Sequence, residues 1–184
     1  VFQAGMSTVI VVAAIYAQEV LTFERDELIF IIMVVNLTAA VGAFGMGHLQ
    51  DRIGSSRSLA LALGIWIVAI VLVFLAEERS DIWLPANLIG LAMGATQSAG
   101  RALIGQFTPV ARTGEFFGLW GLAMHLATII GPLTYGAISW LTGGEQRLAL
   151  LSTLSFFILG LLLLSTVNEQ RGRQAATAID ESPQ

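Results

Sequence analysis

Residues 59–76 read LALALGIWIVAIVLVFLA and contain no charged side chain. A membrane-spanning helix needs about 20 predominantly apolar residues, so this stretch predicts a helix that crosses a bilayer. The whole 184-residue chain has the same character, with 55% hydrophobic residues, 12% charged residues and a mean hydropathy of +0.78. Soluble domains carry roughly 25% charged residues. The composition therefore excludes a water-soluble domain, and this hydrophobicity with a formal charge of −4 also excludes a disordered chain.

Six segments in total are long and apolar enough to span a bilayer, and they lack the alternating pattern of membrane β-strands. They cover residues 5–21, 28–47, 59–76, 83–107, 116–141 and 148–167. We therefore predict an all-α polytopic membrane protein. Residues 168–184 are polar and rich in small side chains, so we expect a disordered tail there.

The arginines predict how the helices are oriented. All nine lysine-plus-arginine positions are arginines, and they are dispersed along the chain, so we expect no nucleic-acid partner. The predicted topology puts Arg25, Arg79 and Arg147 on one side and the other six on the opposite side. Those six are Arg52, Arg57, Arg101, Arg112, Arg171 and Arg173. By the positive-inside rule, we expect this second side and both termini to be cytoplasmic.

Several classes of chemistry are excluded by the residues that the chain lacks. It has no cysteine and only two histidines, which excludes thiolate metal sites and sites with three histidine ligands. The sequence patterns of zinc proteases, serine hydrolases and P-loop ATPases are also missing. We expect no enzyme activity, no metal and no cofactor.

A glycine-rich segment, residues 47–57, separates the second and third spans. It reads GHLQDRIGSSR, and we predict a tight loop that takes part in conformational switching. Asp51 is suited to accept hydrogen bonds from amides at a neighbouring helix N-terminus. From composition alone, a solvated polar loop explains the segment equally well. The residues of the pattern are Gly47, Asp51, Arg52, Gly54 and Arg57.

The fourth span places Gly90, Gly94, Gln97 and Arg101 on one helical face, because they are spaced by four, three and four residues. Glycines allow another helix to approach closely, and an ionisable side chain within a span is a candidate functional residue. The alternative for Arg101 is that it extends to the membrane interface. We predict that Gln97 and Arg101 face a cavity.

The fifth span carries a second face of small and polar residues. Gly118, Gly121, His125, Thr128 and Pro132 recur every three or four residues. His125 is predicted near mid-membrane, where an imidazole can either exchange a coupling proton or form a neutral hydrogen bond between helices. We take His125 and Thr128 as cavity candidates, and the small residues, with Glu115 and Gly131, as packing positions.

Gln3, Ser7 and Gln18 share a face of the first span. They are suited to line an aqueous cavity. Interhelical hydrogen bonds, worth about 0.6 kcal/mol each, explain them equally well.

The pattern of residues 47–57 resembles the loop signature of the major facilitator superfamily. Three further elements, residues 97–101, the EFFG of 115–118 and Gly131-Pro132, resemble one branch of it, the unidentified major facilitators that include fungal vacuolar amino-acid effluxers. The resemblance covers essentially residues 1–170. It implies the C-terminal six-helix half, a 3+3 inverted repeat, of a twelve-helix secondary transporter.

The resemblance also implies partners: the lipid bilayer, an N-terminal six-helix half, and a small solute such as an amino acid, with a proton as a candidate coupling ion. The chain begins at Val1 and lacks the features of a signal peptide, so we expect a fragment of a longer protein. Its short loops favour a bacterial cytoplasmic membrane. The alternative function is a scaffold module that keeps the fold without transport.

Overall fold

The computed structural model describes residues 1–19 and 23–181, and the side chains of all of these except 13–19, 146 and 147. No strand occurs among these residues, so the predicted all-α class is confirmed. Short 3-10 turns lie at Arg79–Ile82 and Val110–Arg112. The helices are α1 (Phe2–Glu19), α2 (Arg25–Ile53), α3 (Ser55–Leu75), α4 (Trp83–Phe107), α5 (Thr113–Leu141), α6 (Gln146–Ser152), α7 (Leu154–Ser165) and α8 (Glu169–Asp180).

Four helical segments within the described ranges are long and apolar enough to cross a bilayer. They are Arg25–Ile53, Ser55–Leu75, Val110–Leu141 and Leu148–Ser165. Two further spans were predicted from the sequence. Of these, α4 has the length, with 25 residues, but its glycines and polar side chains make it less apolar. The first is apolar over Phe2–Val12, beyond which its side chains lie outside the described residues.

The core of the bundle is built around α3. Because this helix is apolar on every side, it can be buried against several neighbours at once, and it packs against α4 and α7. The indole of Trp66 is fully buried and stacks on Phe157 of α7, with ring centroids 5.2 Å apart. Its Nε1 donates a hydrogen bond to Thr96 Oγ1 of α4 at 3.1 Å. This bond satisfies the polar atom that burial of a tryptophan would otherwise leave unpaired.

The helix ends form two opposite ends of the bundle. At one end, Arg79 lies 3.5 Å from Glu27, and Phe30 contacts Trp83 edge-on. The other end contains the α2–α3 corner, the α4–α5 connection and α8. We call it the arginine-rich end, because it carries Arg52, Arg57, Arg112, Arg171 and Arg173.

The segment after the last span is helical, so the prediction of a disordered tail from residue 168 is wrong for Glu169–Asp180. The side chain of Asn168 caps α8 by accepting a hydrogen bond from the Arg171 amide at 3.0 Å. The packed face of α8 is made by small residues: Ala176 is buried, and Gly172 lies against the Phe107 ring. Composition missed this helix because its contacts use no large apolar side chain.

Candidate functional site

Glycines bring α2 and α4 into backbone contact. A Cβ atom at Gly94 would collide with the backbone of Ala39 and Ala43, and one at Gly42 would collide with the backbone of Leu91. At Gly90, a Cβ would meet Thr38 and the Val35 carbonyl. Gly90 and Gly94 therefore lie where α2 approaches α4, and larger residues there would separate the two helices.

The polar end of the same α4 face leaves this interface. Gln97 is half-buried, and Arg101 is exposed, one turn closer to the arginine-rich end. The guanidinium carbon of Arg101 lies 5.9 Å from the ring centroid of Trp120 on α5, a cation–π contact. Sequence reasoning missed Trp120, since a contact between residues on different helices leaves no periodic signal. Arg101 and Trp120 therefore connect α4 and α5 in a region where these helices otherwise make few contacts.

The face of small and polar residues predicted on α5 is packed against another helix in one part only. In the half of α5 farther from the arginine-rich end, Gly131 is buried against Ala4 and Thr8 of α1, and Pro132 is half-buried beside it. A Cβ at Gly118 or Gly121 would meet no atom within 4 Å. These two glycines therefore have no close neighbour at those positions within the described part of the chain.

The titratable and hydroxyl side chains of α5 are exposed. His125 and Glu115 both lie on the surface, and the exposed Thr128 donates to the carbonyl of His125 at 2.7 Å. Most of α5 is exposed with them, although the helix is apolar enough to cross a membrane. The described part of the chain therefore leaves these side chains of α5 uncovered.

On α1, Ser7 is buried and Gln3 is half-buried, whereas Gln18 lies outside the described side chains. The neighbouring Thr8, which was not among the predicted residues, is fully buried and donates to the Ala4 carbonyl at 2.7 Å where Gly131 packs. The structure therefore does not bring Gln3 and Ser7 together with His125 and Thr128 in one described cavity.

A cavity of about 370 Å³ lies between α1, α2, α3, α4 and α6, toward the end of the bundle that carries Arg79. Its described lining is apolar except for Asn36, whose amide donates to the Ile32 carbonyl at 2.8 Å. An apolar lining of this kind suits an aliphatic or aromatic group and offers little to a charged one.

The predicted loop at residues 47–57 is reduced to one residue, so this detail of the sequence prediction is wrong. Gly47, Asp51 and Arg52 belong to α2, and Arg57 belongs to the first turn of α3. Gly54 alone separates the two helices, with φ 88°, which favours glycine. The chain reverses here because no side chain obstructs this backbone conformation.

Glu169, rather than Asp51, lies at the N-terminus of α3. Its carboxylate accepts hydrogen bonds from the amides of Ser56 at 3.1 Å and Ser55 at 3.4 Å, while Asp51 is exposed. Burial raises the pKa of Glu169, but these two amides and Arg173 stabilise its charged form and keep the pKa below its ordinary value. No local pattern could predict this contact, since 113 residues separate Glu169 from Ser56.

Comparison with known proteins identifies the family. The family model described as "Vacuole effluxer Atg22 like" matches residues 1–177. The uncharacterized MFS-type transporter YxiO of Bacillus subtilis is 25% identical over 97% of this chain, and autophagy-related protein 22 of Cryptococcus neoformans is 26% identical over 94%. A probable 4-methylmuconolactone transporter of Cupriavidus pinatubonensis is 30% identical over 53% of this chain and 24% of its own length.

This chain spans 41% of the length of YxiO and 34% of that of the Cryptococcus protein. The family model nevertheless covers all of α1 to α7 and α8 as far as Thr177. The chain therefore belongs to the Atg22-like vacuole effluxer family.

Proposed function

We propose that this chain is a six-span half of a secondary transporter that moves a small solute by alternating access. The observation that carries the proposal is the exposure of α5, a helix apolar enough for a membrane yet bearing exposed His125, Thr128 and Glu115. Lipid is a poor environment for a histidine and a carboxylate. A second six-helix half, with an aqueous cavity between the halves, would give this face a suitable environment.

Helix pairing supports a 3+3 repeat within the half. α2 packs on α4 as α5 packs on α1, and α3 packs on α4 as α7 packs on α1. If α1 is exchanged with α4, α2 with α5 and α3 with α7, the α2–α4 pair becomes the α5–α1 pair. The α3–α4 pair likewise becomes the α7–α1 pair. An inverted repeat produces this symmetry, and it supports counting α1 and α4 among six spans.

In this proposal, the solute path runs along α4 and α5. Gln97, Arg101, His125 and Thr128 offer hydrogen-bonding groups there, with Gln3, Ser7 and Gln18 of α1 as further candidates. Amino acids are the first solutes to test, because the family model is named for vacuolar effluxers and the family resemblance implies a small solute such as an amino acid. The positive-inside rule supports a cytoplasmic location for the arginine-rich end.

The test is solute flux in proteoliposomes. Three samples are compared: the complete polypeptide, residues 1–184 alone, and residues 1–184 co-expressed with the remaining helices. We expect saturable amino-acid uptake by the first and third samples and none by the second. Uptake measured with and without a pH gradient shows whether a proton is coupled.

Saturable, gradient-driven uptake by residues 1–184 alone would refute the half-transporter. A correctly folded complete polypeptide that moves no solute in a broad panel would favour the scaffold alternative instead.

A further inference from the structure

α8 has a carboxylate at each end, and each one binds backbone amides of a different helical segment. Glu169, its first residue, lies on the start of α3, as described above. Asp180, its last residue, accepts hydrogen bonds from the amides of Val110 at 3.0 Å and Ala111 at 3.4 Å. These amides begin the 3-10 turn that leads directly into α5. Unpaired amides at a helix start favour a negative partner, so both contacts are favourable ones.

The middle of α8 is attached to the end of α4. Arg173 bonds to Glu169 at 2.6 Å and donates from Nε to Gln106 Oε1 at 3.2 Å. The amide nitrogen of Gln106 in turn donates to Ser55 Oγ at 2.8 Å. This network ties α8, α4 and α3 together, while Gly172 allows α8 to approach the ring of Phe107.

We propose that α8 is a brace that couples the arginine-rich ends of α3 and α5. Its 12 residues separate the two carboxylates by roughly 17 Å at 1.5 Å per residue. A continuous helix of this length transmits a displacement of one end to the other. The first and second three-helix units are therefore held at a fixed separation at this end, whatever solute the protein carries and whether or not it transports one.

The alternative is that Glu169 and Asp180 are two independent local caps. The two possibilities differ in what a change at one end does to the other end, because energetic coupling between sites is reciprocal. A local cap affects only its own amides. A brace affects both sets of amides.

Hydrogen–deuterium exchange of the complete protein in detergent measures this directly. We expect Asp180→Asn to speed exchange at Ser55 and Ser56 at least threefold, in addition to its effect at Val110 and Ala111. Glu169→Gln should likewise speed exchange at Val110 and Ala111, in addition to its effect at Ser55 and Ser56. Glu181→Gln is the matched control, because it removes an adjacent, exposed carboxylate and should change neither end.

A second variant inserts two glycines between Gln174 and Ala175, which interrupts α8 but keeps both carboxylates. In the protein with this insertion, Asp180→Asn should speed amide exchange only at Val110 and Ala111. The proposal is overturned if Asp180→Asn leaves exchange at Ser55 and Ser56 unchanged in the uninterrupted chain. It is also overturned if the glycine insertion leaves the long-range effect intact, or if exchange rises equally at buried α3 amides, which would indicate general unfolding.

Discussion

Gln97 is a single side chain for which solute binding and helix packing predict different outcomes. It is half-buried on α4, one turn from Arg101. If it binds the solute, Gln97→Leu in the complete protein removes a hydrogen bond worth about 0.5–1.5 kcal/mol and weakens transport roughly 2- to 10-fold, with the melting temperature nearly unchanged. Solute-concentration dependence of uptake and thermal unfolding measure the two effects.

The matched control is Gln106→Leu, because Gln106 bonds to Ser55 and Arg173 at 2.8 Å and 3.2 Å. This change should lower thermal stability. A joint loss of stability and transport in Gln97→Leu would instead assign that residue to helix packing.

Glu169 gives the attachment of α8 a defined pH dependence. Its pKa is lower when α8 is bound than when it is detached, so the contact stabilises the bound form fully above the ordinary glutamate pKa. That contribution is lost as the pH falls through the lowered value. The charged group that pairs with the carboxylate is Arg173 on α8, and Arg57 lines the same surface groove.

A fluorophore at Gln174→Cys, the only thiol in this chain, should report α8 release in the acidic range. Glu169→Gln should remove most of that pH response. An identical acid transition in both proteins would show that a group other than Glu169 controls release.

The glycines of α4 differ in their surroundings, and only some of them contact α2. Gly94 lies against the backbone of Ala39, whereas a Cβ at Gly100 on the same helix would meet nothing within 4 Å. Gly94→Ala should therefore force α2 and α4 apart and cost about 1–3 kcal/mol. Gly100→Ala should be neutral or stabilising by up to about 1 kcal/mol, because alanine favours helix. Thermal unfolding of the complete protein compares the two, and equal effects would contradict this assignment of the interface.

Local patterns predicted the helices well and the contacts between distant segments poorly. Continuous apolar runs such as 59–76 define a span by themselves, and the spacing of Gly90 and Gly94 indicated a close helix approach. Neither the helix α8 nor the Arg101–Trp120 contact could be predicted in this way. α8 is stabilised by partners more than 60 residues away, such as Gln106 at a separation of 67. A contact of this kind is fixed by tertiary packing and leaves no period in the sequence.

The role predicted for Asp51, conformational switching, concerns the molecule as a whole. It is exposed on the last turn of α2, where a carboxylate is disfavoured by the helix dipole, and Glu169 already binds the α3 amides. Asp51→Asn should therefore leave stability unchanged or raise it by about 0.3–1 kcal/mol. If Asp51 contacts the other half of the transporter in one conformation only, the same substitution shifts the equilibrium between inward-open and outward-open states.

Labelling of a cysteine at Thr128, exposed on α5, measures that shift in the complete protein. We expect Asp51→Asn to increase labelling from one side of the membrane and to decrease it from the other, because the two proposed states would expose Thr128 to opposite sides. Glu181→Gln, an exposed carboxylate at the same end, should change neither rate. Since a shift of about 1.4 kcal/mol changes the ratio of states tenfold, even one charge contact is measurable in this way. Unchanged labelling from both sides would rule out a role for Asp51 in switching.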